Sequence, residues 1–474
     1  MSHTIEEPQL ADASATASES VATSPAPRKP APITDLYQIV WRWHFYAGLV
    51  TIPVMWILAI TGAIYTFRTE LTEWRDAALL NVTPQPSRMS YDELRRLAAA
   101  EMGDNHMEAV IVYPGADRSV QFVAHVEDVA TPDEDEHAEE RHQLVYIDPY
   151  TGTVLGTRIK EEDFFDVVLW LHRSLLLGTF GRCVTELTTS WGVILMATGV
   201  FLWWPRGKKN VGVWVPRLRG KLYAVLRDWH AAGGIYTAPL VAIVVVTGLF
   251  FTPLLGLTFN TTVQKIGHWP VQEWFAPPKS EPVAEGTSPA SLDAVIPAFL
   301  SQARPDDVVR FRLPESPEQA YRAFLMRDED KNSYRAVDVD QYSAKILSVV
   351  GSTDLKLGYR IRLWAVSLHM GQIFGTPTKV LALFASLVVF LLSFTGVWMW
   401  WKRRPEGRTG FPRRPLAGSL PGWGWAVVVL AGILLPTAGL SMLVIMAVDR
   451  WLLSRRVPVA AAEGAIVDRG PPGS

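Results

Sequence analysis

Five apolar stretches of about 20 residues or more divide the chain and predict its membrane-spanning helices. They lie at Val40–Phe67, Cys183–Trp204, Trp229–Leu255, Lys379–Trp401 and Trp423–Val448. A helix of about 20 residues crosses roughly 30 Å of hydrocarbon, so each stretch is long enough to span a bilayer. The pattern predicts an α-helical integral membrane protein.

The segments between these stretches are of two kinds. Two polar insertions are each roughly 100 residues long, whereas the short loops after the second and fourth stretches are rich in Lys and Arg. Positive charge in short loops marks the cytoplasmic side of a membrane. We therefore expect the N-terminus and both basic loops in the cytosol and both insertions on the far side.

The predicted organisation follows from these boundaries. It comprises a disordered cytoplasmic tail (1–36), a first span (37–67), a first insertion (68–163), an interfacial segment with the second span (164–204), a basic loop (205–228), a third span (229–255), a second insertion (256–362), an interfacial segment with the fourth span (363–401), a second basic loop (402–422), a fifth span (423–448) and a C-terminal tail (449–474). In the first insertion, residues 127–140 contain eight carboxylates and His137. Such a run is typical of a solvated loop.

The two halves of the chain resemble each other. Trp43-His44 recurs 186 residues later as Trp229-His230, and Leu171-His172 recurs 197 residues later as Leu368-His369. Each insertion also contains a predicted helix and ends in a predicted β-hairpin. The repeat predicts an internally duplicated four-helix core, a fifth helix outside it, and two small α+β insertions related by an axis along the membrane normal.

Four histidines occupy the duplicated positions at or near the membrane. His44 and His230 are placed at the inner end of the core, and His172 and His369 at the outer end. Two imidazoles that converge across a twofold axis are a common way to hold low-spin haem iron. The spacing therefore favours two haems, one between each pair. Structural histidines remain an alternative, as does a two-metal or proton-relay site, although we find no carboxylate beside the histidines in the spans.

Small and basic residues at the same depths are further candidates for the haem sites. The glycines could pack against a flat macrocycle, and the arginines could pair with haem propionates or lie at the interface as ordinary basic residues. The glycines are Gly48, Gly234, Gly62 and Gly248, and the arginines are Arg42, Arg227, Arg173, Arg360 and Arg362.

Composition and charge exclude other classes of function. The 45 basic residues are balanced by 47 acidic ones, which argues against a nucleic-acid partner. The single cysteine excludes a disulfide scaffold. No flavin, nicotinamide or ATP motif is evident in the sequence, so electrons would have to come from a separate donor.

The motifs together resemble the PepSY-associated transmembrane family. The resemblance runs from about Tyr37 to Arg404 and rests on Trp43-His44 with Gly48, Asp148-Pro-Tyr-Thr-Gly before Leu171-His172, Trp229-His230 with Gly234, and Leu368-His369 with Gly375. The second hairpin departs from the family pattern, since Gln341 and Ser343-Ala344 replace its Pro and Thr-Gly residues.

This family includes bacterial inner-membrane ferric-siderophore reductases. The resemblance implies PepSY-like periplasmic modules, two b-type haems, and His44, His230, His172 and His369 as haem ligands. It also implies electron transfer from a cytosolic or quinol donor, across the lipid bilayer, to a ferric siderophore or another periplasmic acceptor, with release of Fe(II). The alternatives are a non-redox PepSY membrane protein that binds peptides or restrains a peptidase, and a small-solute transporter.

Overall fold

The computed structural model describes residues 32–126, 141–206, 211–268, 277–284, 286–327, 330–407, 409–412 and 420–454. Residues 1–31 and 455–474 of the predicted tails, and the acidic stretch 127–140, lie outside the described residues, whereas residues 32–36 and 449–454 of those tails are helical. The helices are α1 (Pro32–Tyr65), α2 (Arg68–Arg75), α3 (Ala77–Leu80), α4 (Tyr91–Met102), α5 (Phe164–Ser174), α6 (Gly178–Trp203), α7 (Leu222–Gly248), α8 (Pro253–Lys265), α9 (Leu292–Leu300), α10 (Leu357–His369), α11 (Thr376–Arg403), α12 (Gly422–Leu434) and α13 (Pro436–Ser454). The strands are β1 (His106–Val112), β2 (Val120–Val126), β3 (Arg141–Ile147), β4 (Val154–Ile159), β5 (Asp307–Arg312), β6 (Tyr321–Arg327), β7 (Arg335–Val339) and β8 (Ile346–Gly351).

Among the described helices, four are long and apolar enough to cross a membrane. These spans are Leu36–Tyr65, Gly178–Trp203, Leu222–Phe251 and Thr376–Arg403. They pack in a ring in the order α1, α6, α7 and α11, so that each helix contacts two neighbours. Both long insertions leave the same end of this bundle, which we call the sheet end, and the short basic loops leave the other, which we call the distal end.

The predicted fifth span is wrong as a single helix. The chain over 423–448 is divided at Leu435 into α12 and α13. Pro436 has no backbone N–H and disfavours helical backbone at the residue before it, which favours a break here, whereas α1 and α7 continue through Pro53 and Pro239. The indole N–H of Trp191 on α6 donates to Ser441 Oγ on α13 at 3.0 Å, which holds this second helix against the bundle.

The two insertions form one antiparallel sheet instead of two separate units. Its strand order is β4-β3-β2-β1-β5-β6-β7-β8, and β1 pairs with β5 in the middle, with Val110 opposite Phe311. An isolated four-stranded unit would leave the polar backbone groups of this edge unpaired. Pairing the edges satisfies those groups and joins both halves into one hydrophobic core, which includes Leu94, Phe122 and Phe299.

Helices α4 and α9 cover the same face of the sheet and cap each other. Asp293 at the start of α9 accepts a hydrogen bond from the backbone N–H of Tyr91 at 2.8 Å. In return, Asp92 at the start of α4 accepts one from the backbone N–H of Leu292 at 3.1 Å. Each carboxylate lies at the positive end of the other helix, where an anion is stabilising. The two halves are thus held together by reciprocal caps as well as by strand pairing.

The departure of the second hairpin from the family pattern leaves its turn intact. Gly152 in the first turn has a φ of 71°, and Ala344 at the equivalent position has a φ of 55°. A left-handed conformation costs a residue with a Cβ roughly 1–2 kcal/mol. In the second turn, the carboxylate of Asp340 accepts from the backbone N–H groups of Tyr342 and Ser343, which holds the turn in this conformation.

A buried carboxylate inside the second span joins α6 to α8. Glu186 is fully buried and accepts hydrogen bonds from the backbone N–H groups of Leu254 at 2.8 Å and Leu255 at 3.1 Å. These donors lie in the first turn of α8, where no intrahelical acceptor is available. The structure therefore uses Glu186 as a cap for α8.

Replacing Glu186 with Ala is expected to destabilise the protein by about 1–3 kcal/mol, because two buried N–H donors lose their acceptor. The midpoint of thermal unfolding in detergent measures the effect. Glu186→Gln keeps one acceptor oxygen and should therefore lose less stability than Glu186→Ala. An unchanged midpoint in the alanine variant would show that the cap contributes nothing.

Candidate functional site

The sheet-end histidines, His172 and His369, lie close together at the sheet end of the bundle, with their ring planes tilted by 52°. His172 is in the last turn of α5 and His369 is the last residue of α10, and both helices lead from the sheet back to the spans. The centres of the two rings are 6.2 Å apart. Imidazole nitrogens bind metal ions at about 2.0–2.1 Å, which puts the centres of two opposed rings about 6.4 Å apart. The observed separation therefore fits one metal between the two rings.

The hydrogen bonds of this pair fix which ring nitrogen is free. His172 Nδ1 lies 2.9 Å from Thr61 Oγ1, and the Thr61 hydroxyl donates to the carbonyl of Ile57 at 2.5 Å. Because the hydroxyl proton is used in this way, Nδ1–H of the histidine is the donor to Thr61. His369 Nδ1 lies 2.8 Å from the carbonyl oxygen of Val244, which can only accept. Both rings thus carry the proton on Nδ1 and keep the Nε2 lone pair for a ligand.

The two histidines at the distal end, His44 and His230, also carry the proton on Nδ1. His44 Nδ1 lies 2.9 Å from Thr198 Oγ1, and His230 Nδ1 lies 3.0 Å from Thr395 Oγ1. Both threonine hydroxyls donate to carbonyls one turn earlier in their own helices. His44 and His230 are close enough to interact electrostatically. A ring nitrogen fixed by an outer hydrogen bond is the usual arrangement for a metal-binding histidine.

Each of the four histidine rings packs against a glycine in a neighbouring helix, and this glycine directly follows a threonine. A Cβ on Gly248 would lie 2.8 Å from Cε1 of His369, and one on Gly62 would lie 3.2 Å from Cε1 of His172. For the distal pair, Gly199 lies behind His44 and Gly396 behind His230, at 3.4 and 3.8 Å. The Thr-Gly motif therefore supplies both the hydrogen bond and the space for the ring, except that His369 bonds to a backbone carbonyl.

The predicted glycines divide into two groups. Gly62 and Gly248 contact the histidines directly, as described above. Gly48 and Gly234 lie one turn beyond the distal histidines, and a Cβ there would only touch Leu195 or Leu392 at 3.9 Å. Nothing in the sequence showed that Thr198-Gly199 and Thr395-Gly396 contact His44 and His230. That contact depends on how α6 and α11 pack against α1 and α7.

A large cavity lies between the sheet and the bundle, with the sheet-end histidines in its wall. Its volume is about 1450 Å³, and it extends from Tyr113 and Gln121 on the sheet to Val241 and Val389 deep between the spans. Ligand pockets usually measure about 300–1,000 Å³, so this cavity has room for more than one small ligand.

The cavity is strongly basic. Nine basic side chains and four acidic ones line it, which leaves an excess of five positive charges. The basic residues are Arg68, Arg75, Arg158, Lys160, Arg173, Arg182, Arg310, Arg362 and Lys379, and the acidic ones are Glu73, Asp76, Asp163 and Asp166. This charge favours an anionic ligand.

Individual groups in the wall also favour a polar or anionic ligand. Burial and the nearby charge of Arg312 lower the pKa of Arg310, although the nearby carboxylate of Glu108 acts in the opposite direction. Arg182 Nε and Asn260 Oδ1 are buried without a hydrogen-bond partner among the described residues. A buried polar group without a partner is costly, and a ligand in the cavity would remove that cost.

The five predicted arginines lie in different surroundings. Arg173 and Arg362 line the cavity near the sheet-end pair, whereas Arg360 is not among its lining residues. At the distal end, Arg227 pairs with Asp228 at 2.7 Å and Arg42 lies over the ring of Tyr46 at 5.7 Å. The arrangement thus makes Arg173 and Arg362 the better candidates for binding an anion, and the sequence alone did not reveal Arg310 or Arg182.

Comparison with known proteins identifies the family. No curated protein gives a significant match to the chain. The family model described as the PepSY-associated TM region matches residues 41–403, which include all four histidines and both insertions. The match covers most of the chain, and the protein therefore belongs to the PepSY-associated transmembrane family.

Proposed function

We propose that the protein is a di-haem electron-transfer protein that reduces a ferric chelate at the sheet end of the bundle. The observation that carries this proposal is the state of the four histidines. In both pairs, Nδ1 donates to a fixed acceptor and Nε2 is left for a metal. Ordinary core histidines would not need this arrangement four times, on equivalent elements.

Each histidine pair would hold one haem at its own end of the bundle. His44 and His230 would hold one b-type haem at the distal end, and His172 and His369 would hold another beside the cavity. When bound, each haem supplies a one-electron redox centre within the apolar bundle. Three threonine hydroxyls, and for His369 the carbonyl of Val244, keep the rings in the ligating tautomer, and the glycines let the rings lie close to the helices.

The acceptor would bind in the basic cavity. Arg173, Arg310 and Arg362 would attract an anionic ferric chelate, such as a carboxylate- or catecholate-type siderophore, to the side of the outer haem. Fe(III) prefers hard oxygen ligands more strongly than Fe(II) does, so reduction by one electron weakens the chelate and releases Fe(II).

The direction of transfer follows from the predicted topology. The basic loops at the distal end would face the cytosol of a bacterium, and the sheet would lie in the periplasm. A cytosolic or quinol donor would then supply electrons at the distal end, across the inner membrane from the acceptor.

The proposal is tested by reducing the purified protein anaerobically, removing the reductant, and adding a ferric carboxylate chelate with ferrozine to trap Fe(II). We expect the reduced haem spectrum to disappear as Fe(II) forms, at about one Fe(II) per haem. A reduced spectrum that stays unchanged in excess chelate would show that ferric iron is not the acceptor.

The threonine bonds make a separate prediction. Thr198→Val keeps the shape of the side chain but removes the acceptor of His44 Nδ1, and we expect about 10–100-fold weaker haem binding at the distal site. Haem transfer to apomyoglobin measures the loss. Thr237→Val is the matched control, because among the described residues the Thr237 hydroxyl bonds to the carbonyl of Gly233 in its own helix and to no histidine. Equal haem retention in both variants would rule out a role for the Thr198 bond.

A further inference from the structure

A second group of metal-ligating side chains lies on the sheet, away from the four bundle histidines. His125 on β2 is directly opposite His142 on β3 in the antiparallel register, so the two side chains share one face. Their ring centres are 6.1 Å apart. Glu108 on β1 completes the group.

A β-bulge brings Glu108 to the histidines. The register of β1 and β2 shifts between Met107 and Ala109, so Glu108 is the extra residue of the bulge. A bulge re-aims a side chain that regular pleating would send elsewhere. One oxygen of Glu108 lies 3.9 Å from His125 Nδ1, and the other lies 3.6 Å from His142 Nε2.

These distances suit a metal ion better than they suit direct hydrogen bonds. Both contacts are longer than the usual hydrogen-bond range. One ligand atom from each of the three residues lies within 4.8 Å of the other two. A tetrahedral ion with bonds of about 2.1 Å separates its ligands by about 3.4 Å, so small side-chain movements would complete the site.

The outer partner of His142 also matches a metal site. Glu161 accepts from His142 Nδ1 at 2.8 Å and from the backbone N–H of His142 at 2.7 Å. This bond keeps the proton on Nδ1 and leaves the Nε2 lone pair towards Glu108. A carboxylate–histidine pair of this kind orients the ring and raises its basicity as a ligand.

We propose that Glu108, His125 and His142 bind a divalent first-row transition-metal ion. Two imidazoles and one carboxylate form a donor set typical of Zn²⁺ and Fe²⁺, with the remaining positions open to water. The three side chains are partly exposed, at 28, 35 and 17%, so an ion can reach them. The site lies on the bundle-facing side of the sheet, since His125 and His142 alternate in phase with the cavity-lining Val123 and Leu144.

The test is Zn²⁺ binding to the full chain in detergent, measured by isothermal titration after chelator treatment, with metal per chain counted by mass spectrometry. We expect one Zn²⁺ per chain that is lost in His125→Ala and His142→Ala. Glu161→Gln keeps all three ligands and should weaken binding about 10–100-fold. Glu108→Gln changes the shape of the site least and should also lose the ion.

His268→Ala is the matched control, because it removes an exposed histidine that is not part of the group. It should bind Zn²⁺ as the wild type does. The proposal would be overturned if Glu108→Gln and His142→Ala bound Zn²⁺ with wild-type affinity and had an unchanged unfolding midpoint. It would also be overturned if the wild type bound no Zn²⁺ that depends on these residues. Haem content is recorded for every variant, so a failure here is distinguishable from a failure of the electron-transfer proposal.

Discussion

Replacing His369 with Ala is expected to remove the haem at the sheet end (the outer haem), which is about half of the total, and to abolish reduction of ferric chelates. His369 lines the cavity with its ring centre 6.2 Å from that of His172, and no other described histidine lies there to replace it. A haem iron that loses one of two axial imidazoles is held by His172 alone. Pyridine haemochrome quantitation gives the haem content, and ferrozine gives the rate of Fe(II) formation.

The haem at the distal end (the inner haem), held by His44 and His230, should remain in this variant. Thr61, which accepts the hydrogen bond from His172 at the sheet end, lies about 17 residues from His44 along α1. At 1.5 Å per residue, this separation is about 25 Å. His44→Ala should therefore give the complementary result, with the inner haem lost and the outer haem kept. Full haem content in either variant would refute the assignment of these ligands, and loss of both haems with loss of folding would be detected by the unfolding midpoint.

Adding one methyl group at Gly248 is expected to have nearly the same effect as removing His369. In Gly248→Ala, the new Cβ would lie 2.8 Å from Cε1 and 3.2 Å from Nδ1 of His369. The ring cannot retreat without breaking its bond to the carbonyl of Val244. Alanine favours a helix over glycine by about 1 kcal/mol, so a loss of haem could not be attributed to a weaker helix.

The glycines provide a graded series for this test. Gly62→Ala, whose Cβ would lie 3.2 Å from His172, should lose less outer haem than Gly248→Ala. Gly233→Ala is the control in α7, the helix of Gly248, since no described atom beyond the backbone of that helix lies within 4 Å of its new Cβ. Haem content should fall in the order Gly233→Ala, Gly62→Ala, Gly248→Ala. Equal haem in all three variants would show that the close approach of α7 to the ring is unimportant.

The sequence predicted the features that depend on local pattern. Four of the apolar stretches are helices of spanning length, and the hairpins around Asp148 and Asp340 form pairs of strands. These features follow from runs of apolar residues, alternation and turn residues, which act over short distances along the chain. The register of the four histidines was visible because the repeat spacing is constant.

The remaining features depend on contacts between distant segments. Pairing of β1 with β5 and the mutual caps of Asp92 and Asp293 arise only when the two halves meet. The bond from His44 to Thr198 joins residues 154 positions apart, and no local pattern indicates it. The break at Leu435 is a different case, because Pro436 marks it in the sequence but high hydropathy over 423–448 favoured one continuous span.

The central proposal is that the two histidine pairs hold haem. The most direct measurement is the reduced-minus-oxidised absorption spectrum of the wild-type protein, purified in detergent after expression with ample haem, together with its haem content. We expect the sharp bands of low-spin b-type haem with two axial imidazoles, at about two haems per chain. A protein that is folded but free of haem would contradict the proposal and would favour a non-redox role such as peptide binding.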